Sequence, residues 1–155
     1  MNVAGFEEAL ESSVSLLVED GLSVRVASIP GLAVLKLVAW TDRRNITNKD
    51  AADIYRLVAT YGDPGIADRL SDQEMALLEA YEFDTQLAGA DLLGQDAAQL
   101  CRHSTRELVT RLLTEEAVYV SLVDQVLQTS SMPETLESTQ HLMDAFRRGL
   151  TGRER

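Results

Sequence analysis

The apolar positions of this chain follow two rhythms. Between Val14 and Ala27 they fall into two short β-rich runs, Val14 to Val18 and Leu22 to Ala27. Asp20-Gly21 separates them, a dipeptide that tolerates the positive φ of a tight hairpin turn. Elsewhere the spacing is three and four, the period of a helix with one buried face. A short helix is expected around Gly5 to Glu11, ahead of the hairpin. Pro30 suits the first turn of the next helix, with Ser28 upstream to cap its free amides. Leu32, Leu35, Val38 and Ala39 make an apolar stripe on that helix, which is expected to end near Thr41 or Asp42. After the polar connection "DRRNITN", Asn48 is the candidate cap of a helix from Lys49 to Tyr61. Ile54, Leu57, Val58 and Tyr61 form its buried stripe, and Gly62 with Pro64 stops it. The remainder reads as helical almost to the end. Helices are predicted from Asp72 to Tyr81, from Thr85 to Cys101, from a Ser104/Glu107 capping box through Leu113, from Tyr119 to Leu127, and from Met132-Pro133 to Arg148. The tail "GLTGRER" is expected to fray. The fold class is α+β, mostly α: an N-terminal β-hairpin followed by a helical bundle.

Composition narrows the function classes. A formal net charge of -11, from 25 acidic and 14 basic residues, repels phosphate backbones and disfavours a general nucleic-acid coat protein. Local pairs such as Arg43-Arg44 or Arg147-Arg148 still suit one phosphate each, because a site needs local charge. Cys101 is the only cysteine, which excludes an internal disulfide and a multi-cysteine zinc site and fits a reducing cytoplasm. The start "MNVAGFEEALESS" reaches two glutamates before any apolar block, so no signal peptide is expected, and no apolar run reaches membrane-spanning length. The expected setting is cytoplasmic, with no membrane partner.

One stretch departs from an ordinary helical domain: "AVLKLVAWTDRRNITNKDAADIYRLV", Ala33 to Val58. Lys36 stands between Leu35 and Leu37, so its stem passes along apolar neighbours before the ammonium finds a partner. Arg43, seven residues on, falls on a similar side. Asp50 and Asp53 are three apart on the next helix, where two like charges repel unless a cation lies opposite. Antiparallel packing with Lys36 and Arg43 near Asp50 and Asp53 resolves both problems. Such a network suits two roles: ion pairs pinning two helices, or a cradle in which Lys36 and Arg43 hold a phosphate chain while an aspartate positions the lysine or a nucleophilic hydroxyl. Spacing alone does not choose between them.

The longer stretch "VASIPGLAVLKLVAWTDRRNITNKDAADIYRLVATYGD" resembles the second half of bacterial nucleotidyltransferases of the AbiEii/AbiGii toxin family. It carries the lysine-bearing helix, Asp42-Arg43, Lys49-Asp50 and Asp53 in order. "YEFDTQLAGADLLGQDAAQL" is similar to one branch of that family, and together the two cover roughly residues 3 to 101. The resemblance implies a nucleotidyltransferase catalytic domain over residues 1–62, making the hairpin a remnant of its sheet. A helical domain over 63–150 and a tail over 151–155 would follow. It implies nucleotidyl transfer from a nucleoside triphosphate with Mg2+, in a toxin–antitoxin or phage-defence setting. By position, Lys36 and Arg43 bind the triphosphate, and Asp53 or Asp50 is the catalytic acidic residue, Asp53 ranked first. The family's upstream Gly-Ser and paired aspartates, which hold the metal ions, have no counterpart: the chain contains no Gly-Ser and no Asp-x-Asp. Glu82-Phe83-Asp84 is the nearest acidic alternation and a poor substitute. The chain is therefore expected to be the C-terminal portion of such an enzyme, a split-gene product or a relic. Its expected partners are a nucleoside triphosphate, an antitoxin or the missing half, and an RNA acceptor. Exposed hairpin edges would also promote self-association. The alternative is a stand-alone helical interaction module, a partner or regulator of a nucleotidyltransferase, without catalysis.

Other chemistry-bearing residues have ordinary explanations. His103 and His141 lack ligand spacing and read as surface residues. Cys101 reads as a small buried hydrophobe, and Trp40 reads as core, although it stands near enough to Lys36 to stack on a base. Ser104 and Thr105 read as capping residues, Glu115-Glu116 as a solvated face, and Arg147-Arg148 as complements to a helix end.

Overall fold

In the computed structural model of the chain, which describes residues 3–19, 21–129 and 136–152, the hairpin and the helices follow one another as the sequence predicts, α+β and mostly α. A short helix α1 (Phe6–Glu11) precedes strands β1 (Val14–Glu19) and β2 (Leu22–Val26). Helices α2 (Ile29–Arg43) and α3 (Lys49–Thr60) come next, then α4 (Pro64–Asp72), α5 (Met75–Ala80) and α6 (Thr85–Leu100). The chain continues through α7 (His103–Thr114), α8 (Glu116–Thr129) and α9 (Leu136–Thr151). Asp20 of the hairpin turn, the Met132-Pro133 helix start and residues 153–155 of the tail lie outside the described residues.

The strands pair antiparallel, Val14 with Val26 and Leu16 with Val24, and a bulge interrupts the ladder between Leu17 and Glu19. Cross-strand partners share a face, so Val14, Leu16, Val24 and Val26 form one apolar face. Ser15, Leu17, Ser23 and Arg25 form the other, and Arg25 donates from it to the Leu10 carbonyl at the end of α1 (2.7 Å). Every described strand residue is exposed. Each residue of the apolar face stays 40–51% accessible, so nothing in the described chain covers it.

The core begins at Ala33 and continues through α3, α6, α7 and α8 to Leu150. Helix α6 is its centre and touches α2, α3, α4, α5 and α9. Its seam with α9 closes on small residues: a Cβ on Gly149 would stand 2.0 Å from the Asp91 carbonyl oxygen, and one on Gly94 would stand 2.3 Å from that of Phe146. This burial carries α9 past Arg148, so Gly149 and Leu150 are helical and buried.

Three local expectations are corrected. The helix read from Asp72 to Tyr81 is the shorter α5, and it is preceded by a separate helix, α4, that is not among the predicted elements, with the chain turning at Gln73-Glu74 between them. Pro64 opens α4 as well as following α3, since a helix tolerates proline in its first turn. Arg69 then grips Asp96 of α6 through both terminal nitrogens (2.7 and 2.9 Å), and Tyr61 donates to the same carboxylate (2.6 Å). The Ser104/Glu107 capping box does not form, because α7 starts at His103 and places Ser104 inside its first turn. Glu8 of α1 takes over that end of α7: its Oε1 accepts from the Arg102 amide (3.3 Å), and the Thr105 side chain bonds to it. Burial works to raise the Glu8 pKa, but these bonds and the Arg102 charge outweigh it and hold the group below the usual carboxylate range. Asn48 occupies the N-cap position of α3 without a capping bond; its side chain donates to Gln128 of α8 (3.3 Å).

Candidate functional site

Helices α2 and α3 meet at a corner whose shape is fixed from both ends. Ser28 accepts from the Gly31 amide (3.2 Å) and sets the start of α2 as predicted. At the other end the Trp40 indole donates to Gln125 Oε1 of α8 (2.9 Å), and Gln125 Nε2 donates to the Arg44 carbonyl (2.8 Å). Trp40 is thereby buried in the core, with the Arg44 guanidinium 5.2 Å from its ring centroid, and is not available for stacking on a base.

On the face held by this corner, the predicted charged residues come together. Lys36 Nζ donates to Asp53 Oδ2 (2.6 Å) and Asp50 Oδ1 (3.3 Å). Arg43 Nη2 donates to Asp50 Oδ1 (2.8 Å) and lies 2.7 Å from Oδ2, close enough for an ion pair but without hydrogen-bond alignment to that oxygen. The pairing of 36 with 53 and of 43 with 50 is an antiparallel register. Arg56 adds a weaker contact to Asp53 at 3.9 Å.

The two aspartates differ in surroundings. Asp50 is 2% exposed and serves two cations, whereas Asp53 is 38% exposed and serves mainly Lys36. Asp50 also stands in the first turn of α3 and Arg43 in the last turn of α2, each at the end its charge complements. The Asp53 hydrogen bond raises the Lys36 pKa; partial burial opposes it and Asp50 reinforces it, so Lys36 is a permanent cation at neutral pH.

Beside the cluster lies a groove of about 720 Å3 between α1 and α2, lined by Phe6, Leu32, Leu35, Ala39 and the two cations Lys36 and Arg43, among others. Its α2 wall is the stripe read from the sequence. The core takes the adjacent face, Ala33, Val34, Leu37, Val38 and Trp40, and leaves Leu32, Leu35 and Ala39 half-buried.

The other candidates fall elsewhere. Glu82 and Phe83 adopt positive φ (53° and 66°) in a corner that ends with Asp84 accepting from the Gln86 and Leu87 amides at 3.0 Å each, so this acidic alternation starts α6. Burial and the nearby Glu8 push the Cys101 thiol up to about 11, the behaviour of a structural cysteine. His103 is exposed and pairs with Glu107 (3.3 Å), and His141 is also exposed. Arg147 reaches Glu116 (3.0 Å), and Arg148 donates to the Tyr81 hydroxyl (2.9 Å), so both serve the fold. Sequence reasoning missed Glu8, Arg102 and Asp96, whose partners lie dozens of residues away and leave no local signal.

Fold and site together define a mostly helical α+β protein that carries a cation–carboxylate cluster at a helix–helix corner. A family model described as nucleotidyl transferase AbiEii toxin, type IV TA system, matches residues 4–146, and the chain belongs to that family. No curated protein and no solved structure matches it. Among the described residues no helix is long and apolar enough to cross a membrane.

Proposed function

We propose that this chain supplies the triphosphate-binding part of a nucleotidyl-transfer site. The observation that carries the reading is the cluster itself. Lys36, Arg43, Asp50 and Asp53 stand on the motif through which the chain resembles AbiEii-type enzymes, and they pack into one patch that solvent reaches. Lys36 and Arg43 bind the phosphates as charge-assisted donors. Asp50, buried between them, fixes their separation. Asp53 is the acidic residue open to reacting groups, and for a phosphate to reach Lys36 it must displace Asp53 from the ammonium.

The family's chemistry implies a divalent metal, and the residues here do not fit one. Both carboxylates already face cations, and among the described residues no group of three or more histidine, cysteine, aspartate or glutamate side chains is placed to hold a metal. The reading therefore assigns the metal-holding carboxylates to a polypeptide segment bearing the Gly-Ser and Asp-x-Asp motifs. That segment's strands would extend the sheet at β1 or β2, and an element packed on the extended sheet would cover the apolar hairpin face. The setting is a toxin–antitoxin or phage-defence system, with an antitoxin counterpart and an acceptor such as RNA.

Calorimetric titration of the chain with ATP and magnesium tests this. Binding is expected, and Lys36→Ala should abolish it; unchanged binding in Lys36→Ala would refute the assignment. Transfer activity from the purified chain alone would refute the need for another segment. A second reading, an interaction module without catalysis, is favoured by the bare hairpin face. It requires that nucleotide fail to bind and that Val24→Lys alter association with a partner or a second copy.

A further inference from the structure

We infer that the groove between α1 and the outer stripe of α2 is a nucleoside subsite. It takes the base and ribose of the nucleotide whose phosphates lie on Lys36 and Arg43, and so rests on the reading above. Three observations carry this.

The first is chemical. At about 720 Å3 the groove falls within the range of small-molecule sites. Leu32, Leu35 and Ala39 recur at helical spacing along its α2 wall, and the half-exposed Phe6 ring stands on the α1 side. Lys36 and Arg43 line the groove together with one carboxylate, Asp42, and both cations also belong to the cluster, so a flat apolar group joined to a polyanion matches the apolar wall and the two cations. An apolar peptide segment would satisfy the lining but would offer those two donors only neutral carbonyl acceptors and no charge.

The second is mechanical, because the α1 wall is anchored. Arg102 bonds to Glu7 and Glu11 (2.6 Å to the latter), and Glu8 is tied to the start of α7. Gly5, at φ 85°, lets α1 begin against α2: a Cβ there would stand 2.9 Å from Val34 Cγ1 in a backbone conformation that L residues rarely adopt. Phe6 is thus carried on a docked element, as a preorganised ring platform requires.

The third is the course of the apolar stripe. A helix whose apolar residues at 32, 35 and 39 stay half-buried while its neighbouring face fills the core presents more apolar surface than its own fold uses. That surplus lies beside the cations.

The test compares ATP with inorganic tripolyphosphate at one magnesium concentration, using the full chain. ATP is expected to bind at least about tenfold more tightly. It should also shift the methyl resonances of Leu32, Leu35 and Ala39, and tripolyphosphate should not. Ala39→Phe, which fills the groove, should bring ATP down to the tripolyphosphate affinity and leave tripolyphosphate itself unchanged. Equal affinities in the wild type, or methyls that ignore ATP, would overturn the inference while leaving Lys36 and Arg43 as phosphate ligands. ATP binding that moves these methyls but survives Lys36→Ala would remove the earlier reading and overturn the inference in the form given, since the phosphates would then lie elsewhere. If neither ligand binds, both are overturned.

Discussion

Replacing Asp50 with alanine should destabilise the fold far more than replacing Asp53, although the two sit one helical turn apart and share Lys36. Asp50 is 2% exposed and bonded to two cations. Removing one partner of a fully buried ion pair costs about 3–5 kcal/mol, because a charge is left behind without water. Here the stranded cations are 27% and 53% exposed and rehydrate in part, and Lys36 retains Asp53. That brings the expected cost of Asp50→Ala to about 2–3 kcal/mol. Asp53 is 38% exposed, and its loss leaves Lys36 on Asp50, so Asp53→Ala falls in the surface range of about 0.2–1 kcal/mol. Urea unfolding followed by far-ultraviolet circular dichroism separates them. With slopes of about 1–3 kcal/mol/M, the midpoints of the two variants should differ by roughly 1 M. In 1 M NaCl, where the screening length is about 3 Å, the Asp53 effect should vanish and most of the Asp50 effect should persist. Equal midpoints, or a larger loss at Asp53, would show that Asp50 does not organise the cluster.

Further expectations address the rest of the molecule. Glu8 has a depressed pKa, so its contribution is fully present above its unfolded value of 4.5 and is lost as pH falls through the lower folded value. Glu8→Gln should therefore flatten the acid limb of stability measured below about pH 4.5, and an unchanged limb would remove Glu8 from the account of α7. Lys36 has a raised pKa, so its contribution is complete below 10.5 and declines as pH climbs through the higher folded value; Lys36→Met should shrink the alkaline loss in the same assay. Gly149→Ala, whose Cβ would meet the Asp91 backbone, should lower the melting temperature sharply. Gly65→Ala, with open space around it, should leave stability unchanged or slightly raised, and a Gly149→Ala no more destabilising than Gly65→Ala would contradict the packed α6–α9 seam. Cys101, with its pKa pushed up to about 11, should react with a disulfide reagent at pH 8 much more slowly in the folded protein than in urea.

The legible parts of the fold were those encoded over short distances. Two β-rich runs and a turn dipeptide gave the hairpin, and Ser28 with Pro30 gave the start of α2. The Lys36–Asp53 pairing followed from two like charges on one helix turn, a short connection and a lysine set among apolar residues. What escaped prediction depends on tertiary partners. The start of α7 is served by a glutamate 94 residues away, so a plausible local capping box misplaced it. Helix α4, absent from the predicted elements, is held by Arg69 reaching Asp96, 27 residues on. Which of two adjacent apolar faces of α2 enters the core depends on where α3 and α6 pack, and hydrophobic periodicity does not encode that. The groove beside Lys36 was invisible for the same reason: its residues read as stripe, and only their incomplete burial marks them.

The two roles considered for the charged cluster need not compete. A cluster that pins α2 against α3 would exclude phosphate only if every pair in it were costly to open. The burial gradient makes the pairs unequal: Asp50 is held by two cations in the interior, while the Asp53–Lys36 pair lies at a surface where such pairs contribute about 0.2–1 kcal/mol. Opening the second leaves the first, and with it the helix–helix register, in place. A polyphosphate offers Lys36 several negative oxygens in exchange for one carboxylate, and Arg43 already stands beside them on the same helix. The outer pair can therefore exchange its partner at a cost smaller than any useful binding energy, while the inner aspartate keeps both donors where a ligand would meet them.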